Sequence, residues 1–296
     1  MRPVWGRGRW HCLALGAACA AVTLVPLATE GGPADSGTTA SLPHQLAGYS
    51  YLTTDVSEAP PGRAIALYQH GFGVEFLDFP QAVVLGADTD IYRRLDAAED
   101  RAGPETQGDP APMLLSPDGR RVALGDHDTS EADLEIVDLS SADVARHALP
   151  PARSVRPIAW SSESTQVAYI SSTEPTNPYS GRSLVGDLVV LDTDSGDTTA
   201  VTVGDPISGA AFSPDGSLIA VQRRGSSSGI SLVDLATSTV RDLPRPLQDE
   251  AQRGVLAGPE AWSPDGRLLA VAHEESMEFL DVTGCRPQPP LHLTGP

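Results

Sequence analysis

The sequence contains no lysine, so all 20 of its basic residues are arginines. We interpret this as codon bias in a GC-rich genome. Cysteine is also scarce, and two of the three cysteines, Cys12 and Cys19, lie in an N-terminal segment with the character of an export signal. Only Cys285 remains beyond that segment, which excludes an internal disulfide in the exported part of the chain.

Positive charge is the second shortage. The chain carries 39 acidic residues against its 20 arginines, a formal net charge of −19, and without residues 1–34 the balance is 38 against 17, or −21. A surface with this charge repels nucleic acid and anionic lipid head groups. We therefore expect no nucleic-acid partner, and membrane contact only through the N-terminal segment.

The N-terminal segment has the layout of an export signal. Three arginines within the first nine residues precede an uncharged stretch, Cys12–Ala28, and small residues lead to a cleavage site near Ala34. This pattern predicts a signal peptide over residues 1–34, followed by a linker over 35–42. An uncleaved anchor is the alternative, since 17 residues is the lower limit for a membrane span, and a lipoprotein site at Cys19 is a weaker one. Export to the extracellular space or to the outer face of the cytoplasmic membrane is expected either way.

A short phrase recurs through the rest of the chain. An apolar residue followed by Ser-Pro-Asp-Gly occurs three times, and a fourth copy keeps only the serine. The serines of the four copies are Ser116, Ser161, Ser213 and Ser263, so the steps are 45, 52 and 50 residues. Proline fixes φ, aspartate bonds its own backbone and glycine supplies positive φ, so the phrase predicts a tight turn. A fixed period in this range is typical of a repeat architecture.

The segments around each turn repeat as well. A short apolar run follows each turn, a later run ends in aspartate, and a weaker run closes the unit. The aspartates of the turn phrases are Asp118, Asp215 and Asp265, and those that end a strand are Asp138, Asp192, Asp234 and Asp281. We interpret all seven as structural turn residues. Four short antiparallel strands per unit are typical of a β-propeller blade.

The Ser-Pro-Asp-Gly turn and the following Leu-Ile-Ala and Val-Asp-Leu strands resemble the WD-like repeats of the TolB family, the periplasmic propellers of the bacterial Tol–Pal system. The resemblance covers about residues 111–296 and does not extend to the N-terminal α/β domain of TolB-like chains, for which no helical stretch is readable here. It implies an all-β propeller, which we place at residues 43–296. Five blades are expected, or six if the sequence is truncated or its first unit is split. The predicted units are a divergent first blade plus linker at 43–110 and repeat blades at 111–150, 155–204, 207–244 and 257–296. Within the first unit, strands are predicted at residues 48–52, 64–68, 81–85 and 90–93, and the acidic, proline- and glycine-rich residues 96–110 are predicted as the linker.

Two places interrupt the repeat and are the expected sites of partner binding. Seven of the eleven phenylalanines and tyrosines lie between Tyr49 and Tyr92, and the third blade carries an insertion at residues 174–182. Loops held by stacked sheets are where propellers place ligand contacts. The candidate contact residues are Tyr68, His70, Phe72, Phe76, Asn177, Tyr179 and Arg182. The alternative interpretation is that the aromatics fill the axis and the insertion is an inert surface loop.

Three motifs point to chemistry that we do not expect. The segment Asp192–Asp197 is similar to a calcium loop, but its glycine stands at position 5 rather than 6. The segment Gly225–Gly229 matches Gly-x-Ser-x-Gly without the helix that a nucleophile elbow requires. Asp126-His127-Asp128 is interpreted as a solvated loop. We therefore predict no metal site, no cofactor and no catalytic residue.

These observations favour an exported, non-catalytic β-propeller that serves as a scaffold for an unknown protein or cell-envelope component. Two alternatives stay open. One is a propeller-type glycoside hydrolase or lyase acting on extracellular polysaccharide, which would need two carboxylates facing each other across the site. The other is a gating propeller that has lost its hydrolase domain.

Overall fold

The protein is a five-bladed β-propeller, which confirms the predicted fold class. The computed structural model describes residues 42–43, 46, 53–71, 80–88, 91–101, 110–127, 132–149, 152, 154–174, 186–203, 207–223, 229–244, 254–273, 276–283, 286–287 and 291–292. Within these residues the chain forms twenty β-strands in five antiparallel sheets and one helical turn. No helix among them is long and apolar enough to cross a membrane.

Blade 1 has three strands within the described residues: β1 (Ala64–His70), β2 (Gln81–Gly86) and β3 (Tyr92–Arg94). The chain before β1 extends this sheet, because Asp55 forms a parallel bridge with Arg94 and the Val56 amide donates to the Arg94 carbonyl at 2.8 Å. A strand predicted at residues 48–52 lies outside the described residues. The stretch predicted as a linker begins with a single helical turn, α1 (Asp96–Glu99).

Blades 2 to 5 share one layout, in which the four strands of a blade pair in chain order. In blade 5 the place of the fourth strand is taken by two short strands that both pair with the third. The strands are β4 (Met113–Leu115), β5 (Arg121–Leu124), β6 (Asp133–Asp138) and β7 (Val144–Ala148); β8 (Ser154–Trp160), β9 (Gln166–Ser172), β10 (Asp187–Asp192) and β11 (Thr198–Val201); β12 (Ile207–Phe212), β13 (Leu218–Arg223), β14 (Gly229–Asp234) and β15 (Thr239–Asp242); β16 (Val255–Leu256), β17 (Leu268–Ala272), β18 (Ser276–Asp281), β19 (Arg286–Pro287) and β20 (Leu291–His292).

Burial falls from the inner strands of a blade to its outer strand. The second strands β5, β9, β13 and β17 are buried along most of their length, whereas β15 is exposed throughout. The second strands read as continuous apolar runs because a neighbouring blade covers each face of their sheet. The outer strands lie against solvent on one edge, which explains why they are the weakest apolar runs in the sequence.

Four apolar clusters hold consecutive blades together, one between each pair from blades 1 and 2 to blades 4 and 5. In blades 2 to 4 the repeated alanine of the second strand faces the following blade, where it shares a cluster with the aromatic residue that precedes the next turn. The three pairs are Ala123 with Trp160, Ala168 with Phe212, and Ala220 with Trp262. A small residue at this position gives the large ring of the next blade room to pack.

Candidate functional site

Connections at the two ends of the blades differ in kind. Because the strands are antiparallel, the links from first to second strand and from third to fourth strand lie at one end, which we call the turn face. The links from second to third strand and from blade to blade lie at the other end, the loop face. Each of the four first-to-second links on the turn face has five residues, whereas the second-to-third links of blades 2 to 5 range from 3 to 14 residues.

The turn face is built from the repeated phrase. In its first copy the Ser116 hydroxyl donates to the Asp118 carboxylate at 2.6 Å and accepts the Arg121 amide at 2.9 Å, while the Gly119 amide donates to the Ser116 carbonyl at 2.9 Å. The glycines of the three copies have φ of 67 to 71°. In the fourth copy Ser164 takes the same place at φ 58°, a conformation that a side chain makes costly. The phrase therefore closes four similar hairpins.

The aspartates that end the third strands hold the second set of turns. Asp192 accepts the amides of Asp194 and Ser195 at 3.1 and 2.8 Å, and Asp234 accepts the amide and hydroxyl of Thr237 at 2.8 and 2.9 Å. These hydrogen bonds, above all the one from the Ser195 amide, lower the pKa of Asp192. Asp138 and Asp281 bond the following residues in the same way. No group of three or more metal-ligand side chains occurs within the described ranges.

Blade 1 is oriented by the turn face of blade 2. The amide of Ala64, the first residue of β1, donates to the Gly119 carbonyl at 2.7 Å. The strand β1 therefore starts at the turn face and runs against the direction of β4, so β1, β2 and β3 take the second, third and fourth positions of a blade. The described residues that flank the segment 72–79 therefore lie at the loop face, as do those that flank the segment 175–185 of blade 3.

A mostly buried ion cluster ties the second and third strands of blade 2 to the chain that enters this blade. Arg101 lies 2.5 Å from Asp126, 2.6 Å from Asp133 and 2.8 Å from Glu135, and Arg146 pairs with the second oxygen of Asp133. Arg101 and its three acids have side-chain exposures of only 12, 12, 3 and 16%. Desolvation raises the pKa of Asp126, and the charge of Arg101 opposes that rise.

This cluster corrects the interpretation of Asp126-His127-Asp128 as a solvated loop. Asp126 is held in the ion cluster, and its backbone forms a bridge with Val155 at the start of blade 3. A ring nitrogen of His127 lies 3.0 Å from the Pro110 carbonyl. The segment therefore joins blades 2 and 3 at the loop face, while Asp128 lies outside the described residues.

The axial wall carries two further charged side chains. The strands β4, β8, β12 and β16 are the innermost of their blades and neighbour one another. Arg156 on β8 is accessible to solvent, yet surrounding protein desolvates it and lowers its pKa. On the innermost strand of blade 5, the Ala257 amide donates to the Ala270 carbonyl, and the Ala261 carbonyl accepts from the Ala270 amide. Residues 258–260 lie between these two bonds and are therefore looped out of the ladder. Desolvation raises the pKa of Glu260, the last residue of this excursion.

Of the predicted partner-binding residues, the structure describes only Tyr68 and His70. Tyr68 is buried, and burial together with Tyr92 raises its pKa to about 12. His70 is half-buried at the loop-face end of β1. The other five candidates, Phe72, Phe76, Asn177, Tyr179 and Arg182, lie outside the described residues. These five residues fall in the segments 72–79 and 175–185, and the described residues that flank both segments lie at the loop face.

Sequence reasoning missed the Arg101 cluster and the charged residues of the axial wall. Arg101 falls in a stretch that its proline and glycine content assigned to a linker, and its three acids lie 25 to 34 residues away along the chain. The excursion at residues 258–260 did have a signal, because Gly258-Pro259 interrupts a strand and Gly258 has φ of 103°. Nothing in the pattern around Arg156 marks it as axial.

No protein-family model and no curated protein matches the chain. Among solved structures it is similar to TolB from Acinetobacter baumannii, with 16% identity and a TM-score of 0.49 over 75% of this chain and 50% of that one. It is also similar to the β-propeller domain of Cps50 (Swd1) from Myceliophteria thermophila, with 14% identity and a TM-score of 0.44 over 62% and 55%. An oligogalacturonate lyase in complex with manganese has 14% identity and a TM-score of 0.47 over 81% and 64%. The chain thus spans half the length of the TolB structure.

Proposed function

We propose that this protein is an exported, non-catalytic binding module whose loop face contacts a protein or another component of the bacterial cell envelope. The observation that carries the proposal is the difference between the two faces. The turn face repeats one five-residue hairpin, whereas the links on the loop face vary in length. They include the aromatic segment 72–79 and the link of blade 3 that carries the insertion predicted at residues 174–182. Variable segments on a rigid scaffold are where binding proteins place their contacts.

Contacts between neighbouring blades fix the scaffold beneath these segments. Backbone bridges join Asp126 to Val155 and Gly186 to Ile207 across consecutive blades. The Arg101 cluster fixes the entry into blade 2 on the same face. A surface held in this way loses little conformational entropy on binding, which favours affinity.

A loop exchange tests the proposal. Residues 175–185 are replaced by a short Gly-Ser linker between Glu174 and Gly186, and the control is Glu163→Arg, a charge reversal at an exposed turn-face position. Both proteins are immobilised and exposed to solubilised cell envelopes. We expect the loop variant to capture at least tenfold less of the partner than the natural chain does. The control is expected to capture as much as the natural chain. Equal capture by all three proteins, or loss with the control alone, would contradict the proposal.

The second candidate is a polysaccharide hydrolase or lyase, and one observation favours it. Glu260 ends the excursion from the innermost strand of blade 5 and has a raised pKa, which suits a general acid. The closely spaced acids at the loop face, Asp126, Asp133 and Glu135, are occupied by Arg101 and are poorly suited to catalysis. Release of reducing ends or unsaturated products from envelope and plant polysaccharides, abolished by Glu260→Gln, would establish this function in place of the first.

A further inference from the structure

A histidine and a glutamate face each other at the loop-face end of blade 5. The Nε2 atom of His273 lies 3.6 Å from the Oε2 atom of Glu278, and the two side chains are only 18 and 19% exposed. Both atoms are buried, and neither has a hydrogen-bond partner within the part of the chain that the structure describes. Buried nitrogen and oxygen atoms normally have a partner, so this pair needs an explanation.

Strand pairing brings the two side chains together. Val271 on β17 pairs with Glu278 on β18, and His273 follows Val271 by two residues, so the three side chains share one face of the hairpin. Val271 packs in the apolar cluster between blades 4 and 5, so this is the face that covers blade 4. The His273 amide closes the hairpin by donating to the Ser276 carbonyl at 2.8 Å.

The backbone of the neighbouring strand holds the imidazole in place. A Cβ on Gly254 would lie only 2.8 Å from the Cε1 atom of His273, so the chain at this position packs directly against the ring. The Gln222 side chain of blade 4 fixes that chain, because it donates to the Gly254 carbonyl at 3.0 Å and accepts the Leu256 amide at 2.9 Å. The position of the imidazole is therefore set by packing, as a preformed binding site requires.

The separation of 3.6 Å decides what fits between the two atoms. A direct hydrogen bond, whether charged or neutral, would bring the nitrogen and the oxygen to about 2.7–3.2 Å. A bridging water forms two such bonds at a near-tetrahedral angle and would hold the two atoms about 4.6 Å apart. Two ligands of a tetrahedral zinc ion, with metal–ligand distances of about 2.0–2.2 Å, lie about 3.4 Å from each other. The observed separation is closest to that of two atoms that share a metal ion.

We propose that His273 and Glu278 bind a divalent transition-metal ion such as Zn²⁺. An imidazole nitrogen together with a carboxylate oxygen suits Zn²⁺, whereas Ca²⁺ and Mg²⁺ prefer oxygen ligands alone. The net charge of −19 also favours a cation from solution. No third metal-ligand side chain joins the pair within the described residues, so water fills the other coordination positions and the metal binds reversibly. The site does not depend on the partner of the proposed function and can be tested on its own.

The test titrates Zn²⁺ alone into the full chain by calorimetry, after the cysteines have been alkylated so that thiolates do not bind the metal. We expect saturable binding that is weakened about tenfold or more by His273→Asn and by Glu278→Gln, and unchanged by His147→Asn. His147 is a matched control, because its Nε2 atom is also buried without a hydrogen-bond partner among the described residues. Ca²⁺ is expected to bind more weakly than Zn²⁺. Unchanged Zn²⁺ affinity in either variant of the pair, or an equal loss in His147→Asn, would overturn the site.

A measurement on the natural chain covers the case in which a variant does not fold. The ring nitrogens of the histidines are followed by NMR as Zn²⁺ is added at pH 7.5 and, separately, at pH 5. At pH 7.5 Zn²⁺ is expected to shift the Nε2 resonance of His273 and to leave that of His147 unchanged. The shift should be lost at pH 5, because the metal binds only a neutral imidazole. If Zn²⁺ leaves the Nε2 resonance of His273 unchanged at pH 7.5, the two residues form an ion pair only and the proposal is refuted.

Discussion

Replacing Arg101 by methionine is expected to destabilise the protein more than any other single loss of charge in the described structure. Methionine keeps an apolar stem but leaves the mostly buried Asp126 and Glu135 without the arginine that pairs with them, while Asp133 keeps its pair with Arg146. Removing one partner of a buried ion pair costs about 3–5 kcal/mol, because a desolvated charge stays behind. A domain of this size is stable by about 5–15 kcal/mol, so the variant loses a large share of that.

Equilibrium unfolding in urea measures the effect, with Arg63→Met as the control. Arg63 pairs with Asp88 at 3.3 Å, but the two side chains are 38 and 66% exposed, so we expect a loss of at most about 1 kcal/mol. The loss in Arg101→Met is expected to be smaller at pH 5 than at pH 8. Without Arg101 the pKa of Asp126 rises further above its ordinary value, so the folded state takes up a proton before the unfolded state does as the pH falls. Equal losses in the two variants at pH 8 would refute the reasoning.

Three further predictions concern the blades. Gly119 and Gly216 have similar positive φ, but a Cβ on Gly119 would lie 2.1 Å from a blade 1 carbonyl, whereas one on Gly216 would meet nothing within 4 Å. In urea unfolding, Gly216→Ala should therefore cost about 1–2 kcal/mol from backbone strain alone. Gly119→Ala should cost about 3 kcal/mol or more, because the clash adds to that strain. Trp160→Phe removes the indole donor that lies 3.1 Å from the Leu114 carbonyl and should lower the free energy of unfolding by about 1–3 kcal/mol. Glu260→Gln should stabilise the protein at pH 7, because neighbouring protein disfavours the charged carboxylate in the folded state. The gain should be less than about 1 kcal/mol, since the side chain is still exposed to solvent. It should disappear towards pH 4, where the glutamate is protonated in both the folded and the unfolded state. The first prediction fails if the two alanine variants lose the same stability, and the second if Trp160→Phe leaves the unfolding midpoint unchanged. The third fails if the gain in Glu260→Gln does not change with pH.

The blade pattern was readable from the sequence because its determinants are local. The Ser213 hydroxyl reaches only as far as Asp215 and Leu218, so the composition of the phrase is enough to predict its hairpin. Likewise, Asp234 ends its strand by bonding Thr237, three residues on. The number of blades can then be read from the number of repeats, since a residue with the same structural role in each blade recurs at the same position of each repeat.

The functional surfaces were harder to predict because their determinants are distant. Arg101 meets Asp133 across 32 residues, and composition alone assigned the stretch around it to a linker. The burial of Tyr68 follows from its position on a second strand of a blade, which an aromatic count does not reveal. The aromatic-rich stretch between Tyr49 and Tyr92 and the insertion at residues 174–182 were singled out separately. Only the strand directions place the residues that flank the segments 72–79 and 175–185 on one face.

Hydrogen exchange of the free and partner-bound protein, measured peptide by peptide, tests most directly whether the loop face is the binding surface. The account predicts that the partner slows exchange at the loop-face ends of the strands, in peptides that cover residues 123–127 and 169–174, and leaves the turns at 116–120, 213–217 and 263–267 unchanged. Slower exchange concentrated in those three turns, with no change at the loop-face ends, would contradict it.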